Sequence, residues 1–205
     1  KKENKKKYNR INKSIKKKIK KILIILTFFF SFVTNVNAEI KRIISGNKNA
    51  KITIIAYESL TCSHCADFHK NVYPQIKKEY IDTGLAKIEF RHFPLDVAAF
   101  NASKIAQCKS DQSLKILESL YSNQQAWVKG NTIDEINNNL KNFIEKEGFN
   151  LEFEKCINNK KIEDFVLNDR IEGTKNFKVN STPTIIINDK KFEKSLNYKN
   201  LKKSL

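Results

Sequence analysis

Glu58-Ser59-Leu60-Thr61-Cys62-Ser63-His64-Cys65 is the stretch around which the rest of the chain is arranged. An apolar alternating run, Lys51 to Tyr57, leads into it. An amphipathic run leads out, with Phe68, Val72, Ile76 and Tyr80 at spacings of four. The pattern is that of a strand, a tight turn and a helix whose first turn holds both cysteines. On the strand, residues 52, 54, 56 and 58 share one face. Cys62 then sits at the helix N-terminus, where unpaired N–H groups and the helix dipole favour negative charge. Cys65 lies one turn deeper on the same face. The spacing marks Cys62 as a thiolate nucleophile and Cys65 as its resolving thiol. His64 can add positive charge or a hydrogen bond beside the Cys62 sulfur. A thiol pKa lowered by about 3 favours the reduced form by about 4 kcal/mol. In a two-electron couple that is about 90 mV toward the oxidising side. A lone C-x-x-C has two competing readings, an inert disulfide and half of a zinc site with His69 as third ligand. No second C-x-x-C or H-x-x-x-H follows, and Cys108 and Cys156 are far off in sequence.

Toward residue 1 the composition changes. The first 21 residues hold twelve Lys/Arg and one Glu, and Ile22 to Val33 is an almost unbroken apolar run. Val36-Asn37-Ala38 follows, placing Val at −3 and Ala at −1 of a cleavage point. Residues 1–38 are therefore expected to be an export signal, cut after Ala38 or kept as an anchor. Of the net charge of +17, this segment carries +11 and residues 39–205 carry +6. What remains is a solvated Lys/Asn-rich surface, not a nucleic-acid footprint. Export places the cysteines in an oxidising compartment, where disulfide chemistry is expected.

Residues 39–205 suffice for one domain. Glu39 to Asn49 reads as a polar lead-in with a turn at Ser45-Gly46-Asn47. Pro74 is expected to kink the helix that follows the cysteines, because Ile76 and Tyr80 keep its period. A second strand, Ala86 to Phe93, comes next. From Asp96 to about Phe177 the pattern is helical, with stripes such as Ala98, Ala102, Ile105 and Ala106. Thr132-Ile133-Asp134-Glu135 reads as a capping box and Asn150 as an N-cap for a helix over Leu151 to Ile157. Trp127 reads as packing in a connection. Ile185 to Ile187 form a late strand, Asn188-Asp189-Lys190 a turn, Lys191 to Glu193 a short edge strand, and Tyr198 to Leu205 a last helix. The order β-α-β, helical block, β-β-α makes a mixed α/β sheet with helices on both faces.

Four runs, YESLTCSHCADFH (57–69), YIDTG (80–84), FRHFPLD (90–96) and VNSTPTIII (179–187), resemble the DsbA family of thioredoxin-fold proteins, in the branch found in alphaproteobacteria. The resemblance runs from about Asn49 to the end. It implies a thioredoxin fold with a helical insertion at about 97–177. It implies Cys62 as attacking thiol, Cys65 as partner and His64 as stabiliser of the thiolate. Pro183 would be cis, and Thr182 would offer its backbone to an extended substrate segment. It also implies a Cys108–Cys156 bridge, which chain-entropy arithmetic values at up to roughly 4 kcal/mol; two buried free thiols are the alternative. Two positions depart from the family. Ser63 stands where proline is frequent, and Ala56 stands where a carboxylate is usual. Glu58, on the same strand face, either takes over as proton acceptor for Cys65 or is a solvated glutamate.

These readings converge on an exported, periplasmic thiol–disulfide oxidoreductase acting on reduced, unfolded exported proteins. By resemblance, its reoxidant is a quinone-linked membrane protein of the DsbB kind. No cofactor and no metal are implied, and the lead-in is too short for an oligomerisation segment, so a monomer is expected. A disulfide isomerase or reductase would use the same residues, and a thioredoxin-fold binding protein or chaperone would use the groove without turnover.

Overall fold

The computed structural model describes residues 15–21 and 40–205. The chain divides into two compact units, Lys1–Glu39 and Ile40–Leu205. In the first, residues 15–21 form a helix, α1, exposed along its length. The apolar segment and cleavage point expected there lie outside the described residues. Among the described residues no helix is long and apolar enough to cross a membrane.

Ile40–Leu205 is built on five strands: β1 (Ile43–Gly46), β2 (Ile52–Glu58), β3 (Ala86–His92), β4 (Thr184–Ile187) and β5 (Lys190–Lys191). They lie side by side in the order β1-β3-β2-β4-β5. β2 and β3 are parallel, with Ile52 opposite Ala86 and Glu58 opposite His92. Parallel neighbours need a crossover, here α2 (Ser63–Asn71), α3 (Tyr73–Ile76) and a π-helical turn, Lys77–Ile81. β4 returns antiparallel to β2, with Thr184 opposite Tyr57. Between β3 and β4 come α4 (Val97–Gln107), α5 (Ser113–Ser122), α6 (Gln124–Trp127), α7 (Ile133–Lys146), α8 (Phe153–Ile157) and α9 (Lys160–Phe177). A last helix, α10, spans Tyr198–Lys202. This is the expected mixed α/β architecture with its helical insertion at 97–177.

Period-two alternation explains how the sheet buries both faces. Ile54, Ala56, Ile88 and Phe90 join Cys65, Phe68 and the insertion's Ile105, Leu120, Trp127 and Leu140 in the main core. Ile55 and Tyr57 face the other way, packing with Phe93, Val179 and Ile186. On that side α9 crosses β3 through charge. Arg91 donates to Glu172 at 2.9 Å and the His92 N–H to Asp169 at 3.0 Å, while Arg42 pairs with Asp169. Gly173 lets α9 come close, since a Cβ there would lie 2.7 Å from Tyr57 Cε1.

Several local expectations need correction. The supposed lead-in contains β1, an edge strand antiparallel to β3; at four residues it is too short to show a period. At Pro74 the helical path divides into short segments, a bend of the kind expected. α2 ends at Asn71, Val72 joins it to α3 in a stretched but still right-handed helical conformation at φ −113° and ψ −53°, and Pro74 falls in the first turn of α3. Proline lacks the N–H an interior position must donate, so the helical path bends here while Val72 still donates to Phe68 and accepts from Ile76. α8 starts at Phe153 with Glu152 as N-cap, so Asn150 caps nothing; burial of Phe153 and Cys156 sets the start. Thr132 does cap α7, accepting from the Glu135 N–H at 3.2 Å. Trp127 is fully buried in α6, its indole N–H donating to the Leu120 carbonyl at 3.0 Å. The β4–β5 turn places Asn188 and Asp189 at φ 45° and 64°, the two left-handed residues of a two-residue hairpin. β5 is shorter and earlier than expected, at Lys190–Lys191.

Candidate active site

β2 ends on Glu58, and the next four residues turn the chain into α2. Cys62 is the N-cap residue of α2, in extended backbone conformation, and its carbonyl accepts from the N–H groups of Cys65 and Ala66. The turn is held from several sides. The Ser59 hydroxyl accepts from the Leu95 N–H at 3.2 Å, and the Thr61 hydroxyl donates to Asp96 at 2.7 Å. Gln124 of α6 donates its side-chain amide to the carbonyls of Leu60 and Cys62, at 2.8 and 3.1 Å. Across the site, the Thr182–Pro183 peptide bond is cis. The Thr182 carbonyl accepts from the Cys62 thiol at 3.4 Å.

Both cysteines are free, and their surroundings are opposite. Cys62 is partly exposed, and its pKa is lowered from 9.0 to about 5. The largest cause is the hydrogen bond from the Cys65 thiol; partial burial opposes it, and the Thr182 side chain and the backbone N–H groups of Cys65 and His64 add to it. The Thr182 hydroxyl is buried and without a hydrogen-bond partner in the present thiol geometry, so it is free to turn toward a thiolate. Cys65 is fully buried. Burial pushes its thiol far above the ordinary range, and its hydrogen bond to Cys62 and the charge of Glu58 add to that.

Of the two contributions expected of His64, charge or a hydrogen bond, the one seen at Cys62 is a hydrogen bond from its backbone. Its backbone N–H faces the Cys62 sulfur, while the residue itself is exposed at the surface. Glu58 is not a solvated glutamate: it is 3% exposed, and its Oε2 lies 2.9 Å from Nε2 of His69, itself buried. Burial raises the Glu58 pKa, and the charge of and hydrogen bond from His69 work against that rise. The His69 ring stacks on Tyr121, centroids 4.1 Å apart, and packs against Phe90 and Tyr73. Sequence reasoning named His69 only as a conceivable zinc ligand, and it missed Tyr121 and Gln124. His69 was legible in principle, because it lies four residues after Cys65 and shares its helical face. Tyr121 and Gln124 come from the insertion, and no local spacing points to them. A cleft of about 660 Å³ opens beside the site between α2 and α5–α6, lined by Ser63, Ala66, His69, Lys70, Tyr121 and Gln124 among others.

Cys108 and Cys156 are bridged, with Cα atoms 5.5 Å apart, joining the end of α4 to α8. Among the described residues no group of three or more His, Cys, Asp or Glu side chains could hold a metal ion.

Comparison with known proteins agrees with this geometry. A family model described as Thioredoxin matches residues 38–205. A Rickettsia bellii protein named "Putative protein-disulfide oxidoreductase" is 31% identical over 146 residues, covering 70% of this chain and 55% of the relative. The chain thus spans about half the length of the Rickettsia proteins it matches. Disulfide bond formation protein D of Bacillus subtilis is 24% identical over 177 residues, covering 78% of this chain and 73% of the relative. Among solved structures, alpha-DsbA1 of Wolbachia pipientis is 30% identical with a TM-score of 0.71, covering 80% of this chain and 88% of that one. BdbD of Bacillus subtilis, at 19% identity and a TM-score of 0.66 over 80% of this chain and 90% of that one, shares the fold.

Proposed function

Since this chain belongs to the thioredoxin family, in its DsbA-like branch, we propose that it is an exported thiol–disulfide oxidoreductase that donates its Cys62–Cys65 disulfide to folding proteins. The observation that carries the proposal is the asymmetry of the two thiols: Cys62 at an open helix start with a pKa of about 5, Cys65 sealed in the core. A reductase works best with a nucleophile nearer ambient pH, so the acidic thiol favours the donor.

A client thiolate attacks the Cys62 sulfur, which is the reachable one. The Cys62–Cys65 bond breaks, a client–Cys62 mixed disulfide forms, and Cys65 leaves with the bonding electron pair. Its buried sulfur then takes a proton, and Glu58 is the nearby buried acid able to give it. A second client thiolate attacks the client sulfur, and Cys62 departs as a stabilised thiolate. The client has lost two electrons and two protons; the enzyme holds Cys62 as thiolate and Cys65 as thiol. Thr182 and the cis Pro183 border Cys62, where the Thr182 backbone can pair with an extended client segment. Reoxidation falls to a quinone-linked membrane protein of the DsbB kind. The working compartment is the periplasm, reached through the export signal at residues 1–38, and the protein acts as a monomer.

Incubation of the oxidised protein with reduced, unfolded ribonuclease tests this. Disulfides should appear in the ribonuclease stoichiometrically, and Cys62→Ser should form none; reduced Cys65→Ser, mixed instead with disulfide-scrambled ribonuclease, should attack a client disulfide through Cys62 and accumulate the mixed disulfide that no Cys65 is there to resolve. The reduction potential should lie nearer the about −120 mV of strong oxidants than the about −270 mV of thioredoxin. A client left fully reduced would overturn the proposal.

A further inference from the structure

Building on that reading of the site, we infer that His69 is the proton conduit between Glu58 and solvent, passing a proton in or out each time Cys65 changes state. It acts through Glu58 and never touches the reacting sulfurs, so it is a positioning and relay residue.

Four observations carry this. Glu58 Oε2 and His69 Nε2 share a hydrogen bond of 2.9 Å in which either partner can hold the proton. Glu58 Oε1 is buried without a partner, so one carboxyl oxygen is not tied to His69, and the Glu58 charge is felt at the Cys65 thiol. On the far side of the ring, Nδ1 is buried and also unpartnered. The same residue lines the cleft between α2 and α5–α6. A buried ring nitrogen without a hydrogen bond is costly, so a water drawn from the cleft onto Nδ1 is favoured. Stacking on Tyr121 and packing against Phe68, Tyr73 and Phe90 hold the ring in the plane that bridges the two sides.

The steps balance. When the client breaks the active-site bond, Cys65 takes the Glu58 proton. The Glu58 carboxylate takes the proton on Nε2, and Nδ1 takes one from cleft water, so the ring changes tautomer. Reoxidation runs the chain backwards: the Cys65 thiol gives its proton to Glu58, Glu58 returns one to Nε2, and Nδ1 releases one to the cleft. One redox cycle therefore resets the tautomer. The titratable groups around the ring are Glu58 from β2, Cys65 one turn back on α2, Tyr73 from α3 and Tyr121 from α5, with Asp67 and Lys70 at the cleft.

The test isolates the resolving step from any client. Cys62 is loaded with glutathione, and the rate at which Cys65 expels it is followed by rapid mixing from pH 5 to 8. His69→Gln keeps a donor to Glu58 but cannot relay, and His69→Ala opens space toward the cleft. Each should slow expulsion about 10²-fold, the low end of general acid–base catalysis. Alkylation of free Cys62 should stay at the wild-type rate. Added imidazole should restore His69→Ala in a saturable manner and leave His69→Gln slow. In a Glu58→Gln background, His69→Gln should cost nothing further. Wild-type expulsion by His69→Gln across that range would overturn the inference, as would a solvent deuterium isotope effect near unity on the wild-type step. Neither outcome would touch the donor assignment, which the ribonuclease experiment decides separately.

Discussion

Two sulfurs three residues apart in one helix differ because one ends the turn in water's reach and the other begins the core. Cys62 gathers donors from the Cys65 thiol, the Thr182 side chain and two backbone N–H groups, against a modest penalty for burial. Cys65 has the penalty with little relief. The consequence for stability has a definite sign. The Cys62 pKa is depressed in the folded, reduced protein, so its contribution is full above about 9 and is lost as pH falls through about 5. Cys65 acts oppositely only above its unfolded value near 9.0. The stability of the reduced form relative to the oxidised one should therefore shrink steadily from pH 9 to pH 5, as urea unfolding of both forms would measure. His92 provides a second titration. Burial is the main cause that lowers its pKa from 6.5 to about 4, although Gln107 Oε1 accepts from the ring Nε2 at 3.1 Å. Its ring should stay neutral by NMR until pH nears 4, and the stability tied to that neutrality should fade as pH drops from about 6.5 to about 4.

At the level of elements, the site depends on where β2 stops and α2 starts. β2 delivers Glu58 on the same face as Ile54 and Ala56, so a carboxylate enters the core side of the sheet. α2 delivers His69 opposite it, four residues after Cys65. The other face is held by α9, which can approach only because Gly173 has no side chain. Gly173→Ala would press a methyl against the Tyr57 ring, 2.7 Å from Cε1 and 2.9 Å from Cδ1. Tyr57 is itself fully buried and has nowhere to go. A loss of about 1–3 kcal/mol is expected, the cost of overpacking a filled core, read as a lower urea midpoint with an unchanged slope. An unchanged midpoint would mean that α9 can move away from the sheet freely.

For the domain as a whole, the insertion is what completes the site. α5 supplies Tyr121 and α6 supplies Gln124, so the thioredoxin strands alone would leave Glu58, His69 and the cysteine turn half covered. The Cys108–Cys156 bridge ties that insertion to itself across a sequence separation of 48. Replacing both by alanine should lower stability by up to about 4 kcal/mol through the looser unfolded chain. The Cys62 titration should hardly move, because none of its donors belongs to the α4–α8 joint. Equal stability of the double variant in chemical denaturation would show that the loop model does not apply here.

Strand–cysteines–helix, helical block and final hairpin were legible because period two, period 3.6 and turn residues are local and repeat often enough to be read. Cys62 and Cys65 were legible for a related reason: helix position alone separates an open sulfur from a sealed one. β1 and the start of α8 were not, being four residues or fewer in extent and settled by what they pack against. His64 could be placed beside the sulfur from sequence, but whether its ring or its backbone N–H does the work depends on which way the first turn faces. Whether Glu58 meets water or His69 was open in the sequence, since a strand end can be either. The fold decided it by laying α2, α5 and α6 over that end, excluding water and leaving a histidine as the carboxylate's hydrogen-bond partner.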